Sequence, residues 1–205
     1  MLQTRTVEPT TLGLLKSLMS KNYLQSFYLV GGTALALQLG HRKSIDLDFF
    51  TVVDFDTEVL LQQLLEAYEV IVVNQTKSML ITTINGIKVD FVKMAYPILF
   101  SALQIEGVRM LDRRDIAPMK LKAVVQRGSK KDFYDIYFLL DFFSLAEIIS
   151  LFQQKFQQYE IFHVIKSLTY FEDAEAYADP VVFDKTITWQ KVKLHIQQVV
   201  KTFII

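Results

Sequence analysis

The sequence predicts an α+β fold, with a mixed strand-and-helix segment over residues 1–110 and a mainly helical segment over 111–205. Three observations carry this. Strand-length, β-rich runs bounded by Gly or Asn-Gly turns fall almost entirely before Pro97. Beyond it, apolar residues recur at helical spacing through five stretches. Hydrophobic residues make up 51% of the chain, with only seven Gly and four Pro, so a core can be filled and a long disordered linker is excluded.

Taken in order, Leu12, Leu14, Leu15 and Leu18 predict an amphipathic helix over Thr11–Met19. Phe27–Val30 reads as a strand that stops at Gly31-Gly32. Thr33–Leu39 resumes as a helix with Gly40 as its stop signal. Ile45–Phe50 alternates as a strand, placing Ile45, Leu47 and Phe49 on one side and Asp46 and Asp48 on the other. Thr57–Tyr68 is helical by its leucine spacing. Strands follow at Val70–Val73, Met79–Ile84 and Ile87–Met94, the last two joined by Asn85-Gly86, a two-residue turn whose positions both want positive φ. After a short strand near Val108–Leu111, helices are expected at Ile116–Gln126, Lys130–Phe143, Leu145–Phe156, Ile161–Phe171 and Trp189–Ile204.

Composition excludes several classes of function. With no cysteine, the chain is not a disulfide scaffold, a zinc finger, an iron–sulfur protein or a Cys-nucleophile enzyme. No apolar run reaches about 18 residues, and Met1–Pro9 has no apolar targeting core, so a soluble, cytoplasmic protein without a membrane partner is predicted. Twenty-two bases balance twenty-two acids, but unevenly along the chain. Ser44–Thr76 holds seven acids and no Lys or Arg, whereas Arg109–Lys131 holds eight bases against two acids. That asymmetry fits a cation site beside a polyanion partner, and equally the solvated faces of ordinary helices.

The chemistry-bearing residues are Gly31-Gly32-Thr33, Asp46-x-Asp48 and Asp90. Two glycines between a strand and a helix let backbone N–H groups approach a phosphate where the helix dipole favours anions. Asp46 and Asp48, two apart on a strand, share a face, and Asp90 lies in a second strand. If the strands pair, three carboxylates converge beside the turn. Their apolar neighbours make such clustering costly without a cation. Hard oxygen donors suit Mg²⁺, and two such ions about 3.5–4 Å apart clamp an in-line phosphoryl displacement.

This order and spacing resemble the DNA polymerase β-like nucleotidyltransferase signature. The stretches Val30–Leu37 and Gly40–Phe50, together with Asp115–Lys120 and Arg127–Asp135, resemble the AbiEii/AbiGii toxin family, and Trp189–Lys193 is similar to that family's C-terminal helix. The resemblance implies a nucleotidyltransferase core followed by a helical domain that completes an active-site cleft. It implies Mg²⁺-dependent transfer of a nucleoside monophosphate from an NTP to an acceptor hydroxyl, with tRNA or another RNA as acceptor. It also implies a toxin role with an antitoxin from a neighbouring gene. It assigns catalysis to Asp46, Asp48, Asp90, Lys120 and Asp132 or Asp135, with two Mg²⁺ ions expected on the first three. Nucleotide binding falls to Gly31, Gly32, Thr33, Arg42, Ser44, Lys120, Arg127 and Lys131.

Each position also has a structural reading. Lys120 and Arg127 share a helix face and suit a triphosphate grip or a plain basic surface. Ser129 and Asp132 have capping-box spacing, so Asp132 could serve only the helix start. Asp135 stands in ordinary i,i+4 relation to Lys131. Arg42 and Ser44 read as phosphate ligands or as loop structure, and His41 as loop structure. The rival functions are a small-molecule nucleotidyltransferase of the antibiotic-modifying kind and an inactive nucleotide- or RNA-binding relative.

Overall fold

A computed structural model describes residues 1–204 and divides the chain into two compact units. The first comprises Met1–Gly40 and Ser44–Asp112; the second comprises His41–Lys43 and the chain from Arg113 onward.

In the first unit, α1 (Pro9–Met19) opens with proline at its first position, where no N–H is needed, and buries Leu14, Leu15 and Leu18. Strand β1 (Tyr28–Val30) runs directly into α2 (Gly31–Leu39), which Gly40 ends in the left-handed region. Then come β2 (Leu47–Thr51), α3 (Thr57–Leu65), β3 (Val70–Thr76), β4 (Met79–Ile84), β5 (Ile87–Lys93), β6 (Leu103–Ile105) and β7 (Val108–Met110). Asp56 caps α3 by accepting from the Glu58 and Val59 amides at 2.8 and 3.1 Å. The strands form one mixed sheet in the order β3-β4-β5-β2-β1-β7-β6. Its centre is parallel where β2 meets β5 and antiparallel where β1 meets β2. Leu47 and Phe49 are buried, and the Phe49 ring stacks on Phe91 at 5.4 Å, which locks the β2–β5 register.

Three expectations change here. Strand β2 begins at Leu47, and Ile45 is 65% exposed rather than on the buried side. The Asp46 carbonyl accepts from the Thr33 hydroxyl, which takes it out of the strand ladder. Strand β3 continues through the polar residues Asn74, Gln75 and Thr76, because an edge strand open to solvent needs no apolar alternation. Strand β6 is additional, and it pairs with the expected β7 through a turn at Glu106-Gly107, both at positive φ.

The second unit is helical: α4 (Arg113–Arg127), α5 (Lys130–Leu139), α6 (Leu145–Lys155), α7 (Ile161–Ser167), α8 (Glu172–Glu175) and α9 (Trp189–Ile204). Helix α4 begins three residues before the expected start, leaving Pro118 inside it. Ser144 and Glu147 form a reciprocal capping box at α6. Phe133, Tyr134, Phe171 and Trp189 pack as one aromatic cluster with centroids 5.1–6.0 Å apart. Two hydrogen bonds tie residues 41–43 into this unit, Lys43 N–H to the Val181 carbonyl at 2.8 Å and Phe183 N–H to the His41 carbonyl at 3.0 Å. Among the described residues no helix is long and apolar enough to cross a membrane.

Candidate active site

The sheet centre sets the first group. Val30, the last residue of β1, lies opposite Asp48 of β2, and Asp48 lies in parallel register with Asp90 of β5. Register partners project from the same face, so two carboxylates stand on neighbouring strands about 4.8 Å apart at the backbone. Gly31 opens α2 with φ +68°, and a Cβ there would lie 2.2 Å from Asp48 Oδ2. Only glycine lets the carboxylate sit against the helix start. The N-cap residue of α2, Val30, has no side chain that can accept from the first amides, a setting that suits an anion. Gly32 lies in the first turn. Thr33 is buried, with its hydroxyl 2.9 Å from that of Ser44, whose amide donates to the Thr6 carbonyl at 2.9 Å. Thr33 and Ser44 thus clamp the loop that leads into β2.

Asp90 Oδ2 pairs with the half-exposed Lys88, while its Oδ1 is buried with no hydrogen-bond partner among the described residues. A buried, unsatisfied carboxylate oxygen beside a second carboxylate fits a hard cation. The expected convergence of three acids does not occur: among the described residues no three acidic or histidine side chains gather closely enough to hold a metal. Asp46 precedes the strand, so alternation does not align it with Asp48. The carboxylate pair that the register builds is Asp48 and Asp90.

A second group lies wholly within the helical unit. Asp132 and Asp135, one turn apart on α5, are both fully buried. Arg127 donates to Asp132 through Nε at 2.7 Å and Nη2 at 2.9 Å, and Ser129 Oγ donates at 2.7 Å. Ser129 therefore spends its hydroxyl on the Asp132 carboxylate, and the expected capping box is absent. Lys120 Nζ lies 2.7 Å from Asp135 and 3.3 Å from Asp132. Arg42 grips Asp135 bidentately at 2.7 and 2.8 Å and gives its remaining nitrogen to the Lys43 carbonyl at 2.9 Å. His41 Nε2 completes the set at 2.8 Å from Asp135.

This geometry revises two sequence readings. Asp135, read as an ordinary i,i+4 partner of Lys131, is anchored by Arg42, Lys120 and His41. Arg42 and Lys120, expected to hold phosphate, are buried, with Lys120 Nζ and two of the Arg42 nitrogens on carboxylates. Of the expected phosphate ligands in this unit, Arg127 has a side chain 51% exposed and Lys131 is exposed. The sequence points to Asp135 beside Asp132 and to His41 as loop structure, but not to their contact, since no local signal marks a pair 94 residues apart.

Burial alone would raise both acids. Arg42 and Lys120 instead hold Asp135 well below the usual carboxylate range, and Lys120 and Arg127 lower Asp132. Burial pushes the Arg42 guanidinium down, but Asp135 more than restores it. His41 goes the other way: burial lowers it more than Asp135 raises it. Neutral His41 donates from Nε2, and a proton on its buried Nδ1 would find no partner among the described residues.

A pH dependence follows. The unfolded chain protonates His41 near 6.5, while the folded chain does so only at lower pH. Unfolding then takes up a proton, so stability is full above about pH 6.5 and falls as pH drops below it. Asp135 acts in the same direction, but only below its unfolded value near 3.8. Denaturant unfolding should show the loss as pH falls below about 6.5, and His41→Gln should flatten that slope. An unchanged slope in the variant would remove His41 as its source.

Residues 13–105 and 86–202 match the family described as the nucleotidyl transferase AbiEii toxin of type IV toxin–antitoxin systems. An uncharacterised Aquifex aeolicus protein, aq_aa25, is 36% identical over 196 residues, covering 93% of this chain and 94% of its own. Two solved structures are similar in fold. A candidate nucleotidyltransferase from Helicobacter pylori superposes with a TM-score of 0.60 at 19% identity, over 96% of this chain and 97% of that one. MenT4, a nucleotidyltransferase toxin from Mycobacterium tuberculosis, gives 0.53 at 14% identity, over 97% and 88%.

Proposed function

This chain belongs to the AbiEii family of nucleotidyltransferase toxins, and on that footing we propose a Mg²⁺-dependent transfer of a nucleoside monophosphate to an RNA hydroxyl, with the tRNA acceptor end as first candidate. The observation that carries the metal reading is the Asp48–Asp90 register pair with its unsatisfied Oδ1, set against the uncapped start of α2. Mg²⁺ needs only one or two carboxylates when substrate phosphates complete its shell. Bound there, the ion supplies positive charge between carboxylates and phosphates that would otherwise repel. Asp46 is the carboxylate that the family resemblance adds to the pair.

The chain's own groups do the rest. The amides of Gly31, Gly32 and Thr33 donate to phosphate oxygens, and the missing Cβ of Gly31 keeps Asp48 at that turn. The acceptor oxygen bonds to the α-phosphorus, the bond to the β-phosphate oxygen breaks, pyrophosphate leaves, and the acceptor proton passes to solvent. Within the helical unit, Asp132 orients Arg127, and Lys120 keeps Asp132 ionised. We assign Arg127 and Lys131 as that unit's anion contacts.

A small-molecule acceptor is the second reading, and one observation favours it. Arg109 donates to the Met19 and Leu24 carbonyls, Lys120 is buried, and Lys130 pairs with Asp179, so the basic stretch is partly spent inside the protein. Incubation with α-labelled NTPs and mixed tRNA separates the readings. Label should appear in RNA with Mg²⁺ and vanish in EDTA. Equal labelling in EDTA would overturn the metal assignment, and label in small products alone would overturn the RNA acceptor.

A further inference from the structure

At one end of the sheet, β3 is an edge strand of seven residues, Val70–Thr76, with no charge and no proline. Its Ile71, Val72 and Val73 are 59%, 41% and 65% exposed. Every second residue of an edge strand also turns its N–H and C=O groups away from its neighbour, toward whatever can pair with them. Proteins usually blunt such an edge with an inward charge, a proline or a bulge. Here only a bulge is present, at Val73, where the register with β4 shifts between Val72 and Asn74.

The flanks of the strand identify what pairs with it. Glu69 stands immediately before β3 and Lys77 immediately after it, each four residues from Val73. Both are exposed. If a second copy of β3 adds antiparallel about a two-fold axis at Val73, Glu69 of each copy falls opposite Lys77 of the other. Two complementary pairs then close the ends of an uncharged ladder. A closed two-fold contact requires this kind of self-complementarity. The bulge adds twist to β3, so only an equally twisted strand can follow it, and another copy supplies that twist by construction.

We propose that the protein self-associates by antiparallel β3–β3 pairing, joining two seven-stranded sheets into one. The main-chain bonds supply attachment, burial of Ile71, Val72 and Val73 adds apolar contact, and the Glu69–Lys77 pairs set the register.

The test uses the full chain in analytical ultracentrifugation from about 1 μM to about 1 mM, a range that spans weak to moderate association. The wild type should shift from monomer to dimer within it. Glu69→Lys places Lys opposite Lys at both ends and Lys77→Glu places Glu opposite Glu, so each single variant should dimerise about tenfold more weakly or worse. An equimolar mixture of the two variants should regain wild-type affinity, because a heterodimer restores an opposite-charge pair at both ends. Both sites are surface positions, so melting temperatures should stay close to wild type and report intact folding. A monomer at every concentration would overturn the proposal. So would association that neither variant weakens, or a mixture no tighter than the variants alone.

Discussion

Asp48→Asn is expected to lower nucleotide transfer at least about a hundredfold while leaving the fold close to wild-type stability. The two halves of this result have separate causes. Asp48 and Asp90 stand in register on adjacent parallel strands, and like charges placed so repel. Removing one charge relieves that repulsion. It also removes an anion from the start of α2, where the helix dipole favours it by about 0.3–1 kcal/mol. The terms oppose, so the melting temperature should move little. Transfer loses a carboxylate from the cation site. Asp90→Asn should behave alike, since its Oδ1 has no structural bond to lose and its Oδ2 partner, Lys88, is half exposed. Asp54→Asn is the control: this exposed acid lies in the same acidic stretch, pairs with Lys93, and should keep its rate. Radiolabel transfer and thermal melting of the three variants check this. Near wild-type transfer by either Asp48→Asn or Asp90→Asn would displace the active site from the β2–β5 register.

Lys155→Met should cost about 3–5 kcal/mol of stability. Lys155 Nζ and Asp115 Oδ1 are 2.6 Å apart, and both side chains are fully buried in the second unit. Truncating the cation takes the counter-ion away from a fully buried carboxylate. At about 2–4 °C per kcal/mol for a chain of this size, the melting temperature should fall by roughly 6–20 °C. The double variant Asp115→Leu, Lys155→Met should recover most of that loss, because two apolar side chains of similar volume remove the charges together. A double variant as unstable as the single would show that neighbouring packing, and not the ion pair, depends on Lys155.

What could be read in the sequence is what neighbouring residues decide among themselves. Asn85-Gly86 announced a hairpin, and its φ values of +48° and +79° are those such a turn demands. Helix α9 runs over Trp189–Ile204 as its apolar spacing requires. The Gly31-Gly32 turn, Asp48 and Asp90 were visible as chemistry because their residue types are unusual amid Phe49, Phe91 and Val92. Strand β6 was not, since three residues carry too little periodicity to register. Only the tertiary structure decided that Asp48 neighbours Asp90, that Asp46 leaves the strand for the Thr33 hydroxyl, and that Arg42 closes on Asp135 across 93 residues. The reason is range: turn and helix preferences act over a few residues, whereas a buried charge takes whichever partner the packed core presents, and sequence spacing does not encode that choice.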